Sequence, residues 1–457
     1  MTRSRPRVAT LFSYDWDSLG FGAQSGRFCL DRAGFDLFSF PSNTRLAWFD
    51  LRRFARAQAR RGRRRRWAGV VSHHEQFGAL AAALVAEQLG LPGNPPEAVL
   101  AAQHKWHARR VLQRVAPEAN LRFELLDTGY GEAIPHGLAL PAYVKPVKAA
   151  FSVLARPIRH RAELVHHTRF GARERWIIRH LVEPFERVRK DRLPGLPSAH
   201  RLLLEEPVPA HTPQFNLDGW VFDGQVHALG VVDAVMYPGT QAFMRWEFPS
   251  RLTAPVQARA LDVARRFLAA IGFRHGFFNM EFFFDAASGR LAVIEFNPRL
   301  ASQFGDLYRR VLGLDAHAMS LELACGRDPL RAPRVEANAG AAASLVYRSF
   351  AADEQPPHPG VPRQRALQAR HPDALYFHFP KTGPALARDH KWLGSHRYGI
   401  VHLGGRDAQH LRERALDASA LLGWPAPYAD QRPAASAQHG AATVPNPLFN
   451  AMTASLE

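Results

Sequence analysis

The chain has 457 residues, 46% of them hydrophobic, and a formal net charge of +18 from 59 Lys and Arg against 41 Asp and Glu. This composition excludes a disordered polypeptide and is ample for about three packed domains, while the absence of any apolar run near ~18 residues excludes a membrane-spanning helix. Two cysteines, Cys29 and Cys325, supply neither a disulfide framework nor a metal-site spacing, which fits a reducing cytoplasm.

The first residues are basic, but the apolar run at 8–12 is too short for a signal-peptide core, so a soluble cytoplasmic protein is expected. Residues 8–13, 36–40 and 69–72 read as strands, 20–33 as an amphipathic connection and 75–89 as a helix. That alternation predicts a small parallel α/β unit. Ser72, His73, His74 and Glu75 fall at its strand-to-helix junction, where ligands of open parallel sheets bind. Two readings stand there: the histidines line a substrate pocket, or Ser72 caps the helix with Glu75 completing a capping box. Arg52, Arg53, Arg56, Arg60, Arg61 and Arg63 to Arg66 form a basic cluster flanked by only two aromatics, Phe54 and Trp67. It reads as a solvated helix face rather than a nucleic-acid surface, which needs stacking platforms as well as charge.

Residues 105–115 read as a helix and 121–125 as a strand within a linker region from about 95 to 140. Residues 142–206 then give a strand, a helix at 161–168, an arginine-rich stretch and a second strand. Lysine is scarce in this arginine-rich chain, so Lys105 and Lys145 stand out. Lys145 lies in an apolar run between Val144 and Pro146, where an unpaired ammonium would be costly to bury. The following loop, from Pro146 to Leu154, contains Lys148 and Ser152 and no glycine. Residues 211–251 are strand-rich and include Asp233, and 255–272 form a helix with Val256, Ala260, Val263, Ala264 and Phe267 on one face.

The most informative stretch is 277–308. Its two strand-like runs flank a five-residue turn from Ala286 to Arg290. With Asp285 facing Leu291, Glu281 lies across from Glu295. Asn279, Glu281, Glu295 and Asn297 then share one face, and Phe282, Phe284, Ile294 and Phe296 the other. Opposed carboxylates roughly 5 Å apart repel and call for a cation between them. Two carboxylates and an amide are hard oxygen donors suited to Mg2+ or Mn2+. Arg299 continues the same face toward an anion.

A helix at 315–325 closes this region. Beyond 335 a small α+β domain is expected, with strands at 343–350 and 374–379 and a strand, turn and helix over 397–422. The stretch after about 425 reads as a disordered tail.

On these residues the chain resembles the ATP-grasp superfamily, in its carboxylate-amine ligase and biotin-carboxylase-like branch. The matching pieces are Glu281 with the run Glu295, Phe296, Asn297, Pro298 and Arg299; the approach from Asn94 to Lys105; the strand around Lys145; the segment Leu202 to Glu206; and the strand from Phe215 to Val221. The resemblance covers roughly residues 70–330. It implies an α/β and α+β multidomain chain, in which an N-terminal parallel pre-ATP-grasp domain (1–100) precedes the ATP-grasp domain (101–330; capping lobe about 140–206, catalytic lobe about 207–330). An α+β domain (335–425) and a tail (426–457) follow. It further implies an ATP- and Mg2+-dependent ligase (or Mn2+-dependent) that activates a substrate carboxylate as an acyl phosphate for attack by an amine. Glu281, Glu295 and Asn297 would hold metal; Lys105, Lys145, Lys148 and Ser152 the phosphates; Glu205 and Glu206 adenine and ribose. Arg299, with Asn297, would serve the transferred group. Dimers are common among such proteins. The sequence after Arg299 lacks the glutamate base of biotin carboxylation, which makes that activity the less expected one. A nucleotide-binding regulator that has lost turnover is the alternative, supported by the glycine-free loop, and an RNA-associated protein is a third.

Overall fold

The structure is a computed structural model describing residues 5–35, 48–149, 154–351 and 358–429. In chain order its strands are β1 (Arg7–Leu11), β2 (Cys29–Ala33), β3 (Gly69–Val71), β4 (Phe123–Leu126), β5 (Ala142–Pro146), β6 (Arg156–Ile158), β7 (Leu202–Glu205), β8 (Gln214–Phe222), β9 (Gln225–Met236), β10 (Phe243–Phe248), β11 (Gly276–Asp285), β12 (Arg290–Asn297), β13 (Ala341–Ser349), β14 (Leu375–His378) and β15 (His396–Gly405). The chain forms two compact units, Met1–Asp233 with Ser250–Glu336, and Ala234–Pro249 with Ala337–Glu457.

In the first unit, β2, β1 and β3 form a parallel sheet with β1 in the centre. The strand expected at 36–40 lies outside the described residues, and the strand that pairs beside β1 is β2, from the segment expected to be a connection. The helix expected from residue 75 starts at Gly78 and runs to Leu89. Ser72 explains the shift. Its hydroxyl donates to Leu11 O at 2.5 Å and accepts from His74 N at 3.2 Å, and no capping box with Glu75 forms. A Cβ at Gly78 would stand 2.0 Å from Ser72 Oγ, so only glycine permits this approach.

A four-stranded antiparallel sheet follows, in the order β4-β7-β5-β6. The helix Arg161–Thr168 is as expected, and the arginine-rich stretch forms the helix Ala172–Arg192. The third sheet of this unit orders β12, β11, β8 and β9 as neighbours. Its apolar face is covered by the helices Lys105–Val115 and Ala254–Ala270, which bury Val111, Leu112, Val263 and Phe267 against Phe278, Phe282 and Phe296. Phe267 stacks on Phe296 with centroids 3.8 Å apart, and burial of each such ring is worth about 1.5–3 kcal/mol. The opposite face is thereby left for polar side chains.

In the second unit, β10, β13, β15 and β14 are antiparallel neighbours in that order. Leu345, Tyr347, Val401 and Leu403 pack on the helix Ala408–Leu422. The tail from 430 lies outside the described residues.

Candidate active site

Strands β11 and β12 pair Asn279 with Asn297 and Glu281 with Glu295, as expected, by a route the sequence did not predict. The turn is one residue shorter, with Asp285 facing Arg290 and Phe284 facing Leu291, and the register recovers at a bulge beside Glu281 and Phe282. Asp285 fixes the turn by accepting from Ala287 N at 3.0 Å and Ser288 Oγ at 2.5 Å. The bulge adds Ile294 to β12, so Val293 rather than Ile294 occupies the core across from Phe282.

A bulge frees backbone groups from the ladder, and here they receive cations. Arg109 donates to Val293 O at 2.7 Å and Ile294 O at 3.0 Å, and Lys145 donates to Ile294 O at 3.2 Å. Glu205 neutralises both. Its Oε1 lies 2.6 Å from Arg109 Nε and its Oε2 2.8 Å from Lys145 Nζ. Lys145 is thus buried in a pair, which resolves the cost anticipated from its apolar run. Burial still dominates and pushes its ammonium down to about 8.

On the polar face, Gln214 Nε2 donates to Glu281 Oε2 at 2.9 Å and Asn297 Nδ2 donates to Glu281 Oε1 at 3.3 Å and Asn279 Oδ1 at 3.1 Å. The carboxamide nitrogen of Asn297 is therefore engaged and its Oδ1 is the remaining acceptor. Lys105 Nζ lies 2.9 Å from Glu295 Oε2 and donates to Ala149 O at 2.9 Å. Burial, reinforced by the Glu295 charge, raises the Glu281 carboxyl well above the usual range; Lys105 and Lys145 outweigh burial at Glu295 and hold it low. The opposed carboxyls thus stand in unequal settings, Glu295 paired with the Lys105 ammonium and Glu281 with the Gln214 and Asn297 amides. A divalent cation would neutralise both, and the all-oxygen set of Glu281, Glu295 and Asn297 fits Mg2+ or Mn2+.

Arg299 turns to Glu75, donating from Nη2 to Oε2 at 2.7 Å. Glu75 is further fixed through its carbonyl, which accepts from Gln103 Nε2 at 2.6 Å. Glu206 pairs with Arg122 at 2.9 Å and with Arg290. Lys148 is 1% exposed, with its ammonium 5.2 Å from the Phe185 ring centroid. Ser152 lies outside the described residues. The structure therefore brings Lys105, Lys145, Glu205, Glu281, Glu295, Asn297 and Arg299 into one connected network. Glu206 is tied to it through the hairpin residue Arg290.

Three members of this network escaped the sequence reading. Glu75 was weighed only as a helix cap, Arg109 was indistinguishable from the many arginines around it, and Gln214, the first residue of β8, fell just outside the strand read from Phe215 to Val221. Beside them, Asp17 Oδ1 lies 2.8 Å from His73 Nδ1 and 3.0 Å from His317 Nε2, all three buried. Asp218 accepts from Tyr308 Oη at 2.8 Å, and burial pushes its carboxyl up to about 6.

The arginines of the basic cluster belong to the helix Leu51–Arg65 and its C-cap Arg66, with Arg63, Arg64 and Arg65 exposed in its last turn. Among the described residues no helix is long and apolar enough to cross a membrane.

No family model matches the chain. Carnosine synthase 1 of Gallus gallus is 30% identical over 268 residues, which are 54% of this chain and only 26% of that protein. The L-amino acid ligase of Bacillus licheniformis superposes with a TM-score of 0.63 at 15% identity, covering 92% of this chain and 98% of the other. N5-carboxyaminoimidazole ribonucleotide synthetase of Thermus thermophilus gives a TM-score of 0.55 at 17% identity, covering 91% and 98%. The chain has the ATP-grasp fold of these ligases.

Proposed function

We propose that this chain, with its ATP-grasp fold, is an ATP- and Mg2+-dependent ligase that joins a carboxylate to an amine. The observation that carries the reading is the opposition of Glu281 and Glu295, with Lys105 paired to Glu295 and Lys145 held by Glu205 and the neighbouring Ile294 carbonyl. Glu281, Glu295 and Asn297 would hold a divalent ion there, which would supply charge neutralisation for phosphoryl transfer.

The chain's own residues divide the remaining work. Glu281, Glu295 and Asn297 would present oxygens to the metal. Lys105 and Lys145 are the phosphate cations, and Lys148 and Ser152 are assigned to the phosphates with them. Glu205 positions Lys145, and Glu206 with the neighbouring backbone addresses ribose and adenine. Arg299, oriented by Glu75, meets the transferred phosphoryl group or the substrate carboxylate, which a guanidinium can hold with two hydrogen bonds. The substrate carboxylate would attack the γ-phosphorus, forming an acyl phosphate and releasing ADP. An amine would then displace phosphate. The names carnosine synthase and L-amino acid ligase favour an L-amino acid as one reactant. The domain division follows the same reading: 1–100, 101–330 and 335–425, ahead of a tail at 426–457.

Phosphate release from ATP and Mg2+ against pools of L-amino acids and other carboxylates tests the proposal. Release that requires a pool member, and a ligated product of matching mass, are the expected results. Nucleotide binding with no release on any pool would replace the ligase with a nucleotide-binding regulator.

A further inference from the structure

Asp17, His73 and His317 come from three separate segments, the helix Asp15–Gly22, the loop after β3 and the helix Ala316–Ala324, and all three are buried. The two imidazole rings stand 5.4 Å apart between centroids. The Asp17 carboxylate is oriented by its own helix start: Oδ2 accepts from Tyr14 N at 3.1 Å, and Oδ1 faces His73 Nδ1 at 2.8 Å and His317 Nε2 at 3.0 Å. His317 occupies a slot made by two glycines. A Cβ at Gly20 would stand 2.4 Å from its Cγ, and one at Gly305 3.0 Å from its Cε1. Phe21 packs on both histidines, 5.1 Å from His73 and 5.2 Å from His317 between centroids.

Ser320 fixes where the protons of this cluster sit. Its Oγ donates its single hydrogen to Ala316 O at 2.8 Å, so in the 2.9 Å contact with His73 Nε2 it is the acceptor. His73 therefore carries a proton on Nε2, and a neutral ring then turns its Nδ1 lone pair toward Asp17 Oδ1. Two lone pairs at that distance repel unless a cation lies between them. A second proton on the ring would serve, but burial lowers the imidazole below its ordinary range even beside the carboxylate. His317 Nε2 borders the same oxygen, so both rings and the carboxylate converge on one position.

We propose that Asp17, His73 and His317 form a Zn2+ site that fastens the helices Asp15–Gly22 and Ala316–Ala324 to the loop after β3. Their ligand atoms lie within 4.8 Å of one another, a spacing that one ion with bonds of ~2.0–2.2 Å gathers by small movements of the rings. Two imidazole nitrogens and one carboxylate oxygen are a donor set for Zn2+, whereas Mg2+ and Ca2+ take oxygen ligands. Ser320 is the outer partner that metal-bound histidines have, holding the His73 tautomer through Nε2–H. Glu75, which orients Arg299, follows His73 by two residues, so the site steadies the loop that positions Arg299. It shares no residue with the β11–β12 face and does not depend on the ligase reading.

The test strips the full chain of metal with a chelator and titrates it with Zn2+ by calorimetry, in excess Mg2+ so that the oxygen-lined face does not compete. One tight equivalent is expected, with a higher Tm in its presence. Ser320→Ala keeps all three ligands and places a good helix former in its helix, so it should fold and bind Zn2+ at least about tenfold more weakly. His317→Gln, whose amide can still donate to Asp17, should lose the tight equivalent, and Glu281→Gln should retain it. In the native chain labelled with 15N at histidine, Zn2+ should shift the Nδ1 signal of His73 and leave its Nε2–H in place, the resonance being identified by its loss in His73→Gln. No tight equivalent in the native chain, an equivalent unchanged in both Ser320→Ala and His317→Gln, or a His73 ring that stays protonated on both nitrogens with Zn2+ present would overturn the site. The last result would make the cluster a buried ion pair held by a proton.

Discussion

Glu75 and Arg299, 224 residues apart, meet through a 2.7 Å hydrogen bond that ties the loop after β3 to the segment after β12. The Glu75 carboxylate keeps Arg299 ionised in an enclosed setting, its guanidinium held above its usual range against burial. Removing one partner leaves the other charge uncompensated. Glu75→Gln should therefore cost about 3 kcal/mol of unfolding free energy in urea. Glu75→Leu combined with Arg299→Met should cost less than Glu75→Gln alone. Equal losses would mean that the pair contributes only packing.

Arg109 holds the bulge with a fork that reaches Glu205, Val293 O and Ile294 O together. A lysine carries the charge but cannot place three directed donors. Arg109→Lys is expected to lose about 2 kcal/mol in urea unfolding, with Arg109→Met losing about 4 kcal/mol as Glu205 and two carbonyls go short of partners. A lysine variant as stable as the native chain would show that charge alone supports the bulge.

A pH signature comes from His104. Its Nε2 donates to Pro197 O at 3.0 Å and burial pushes the imidazole down to about 4 from 6.5. The folded chain keeps the ring neutral where the unfolded chain protonates it. The stability this represents is fully present above pH 6.5 and is lost as pH falls toward 4. Between about pH 7.5 and about pH 5 the native chain should lose about 2 kcal/mol more than His104→Asn, which retains a helix-capping side chain. Parallel losses in the two proteins would assign the acid sensitivity elsewhere.

The exposed arginines at the end of the basic helix should be dispensable for folding, since its core contacts are made by Leu51 and Ala55. Arg63 to Arg66 replaced by Ser is expected to change stability by less than about 0.5 kcal/mol, since exposed ion pairs contribute little. Loss of a salt-sensitive RNA affinity in this variant would restore the nucleic-acid reading that the scarcity of aromatics disfavours.

Much of the site was legible because strand alternation alone puts Asn279, Glu281, Glu295 and Asn297 on one face. The agreement at Glu281 and Glu295 nonetheless came from two cancelling departures. A turn one residue shorter shifted the register and the bulge at Ile294 shifted it back. Alternation carries no sign of a bulge whose stabilising partners, Arg109 and Lys145, lie far away in sequence. Helix periodicity located Lys105–Val115 and Arg161–Thr168 to the residue. It misplaced the helix start at residue 75 because the Ser72 hydroxyl binds Leu11 O instead of capping, a tertiary choice that local propensity does not encode.

The most direct test of the account is the Mg2+ dependence of ATP binding, measured by calorimetry for the native chain, Glu281→Gln and Glu295→Gln. The account predicts binding that needs Mg2+ in the native chain and falls at least about tenfold in each variant, because each removes one hard anionic ligand. Binding of equal strength with and without Mg2+, or unchanged in both variants, would contradict the assignment of the β11–β12 face as the metal-nucleotide site.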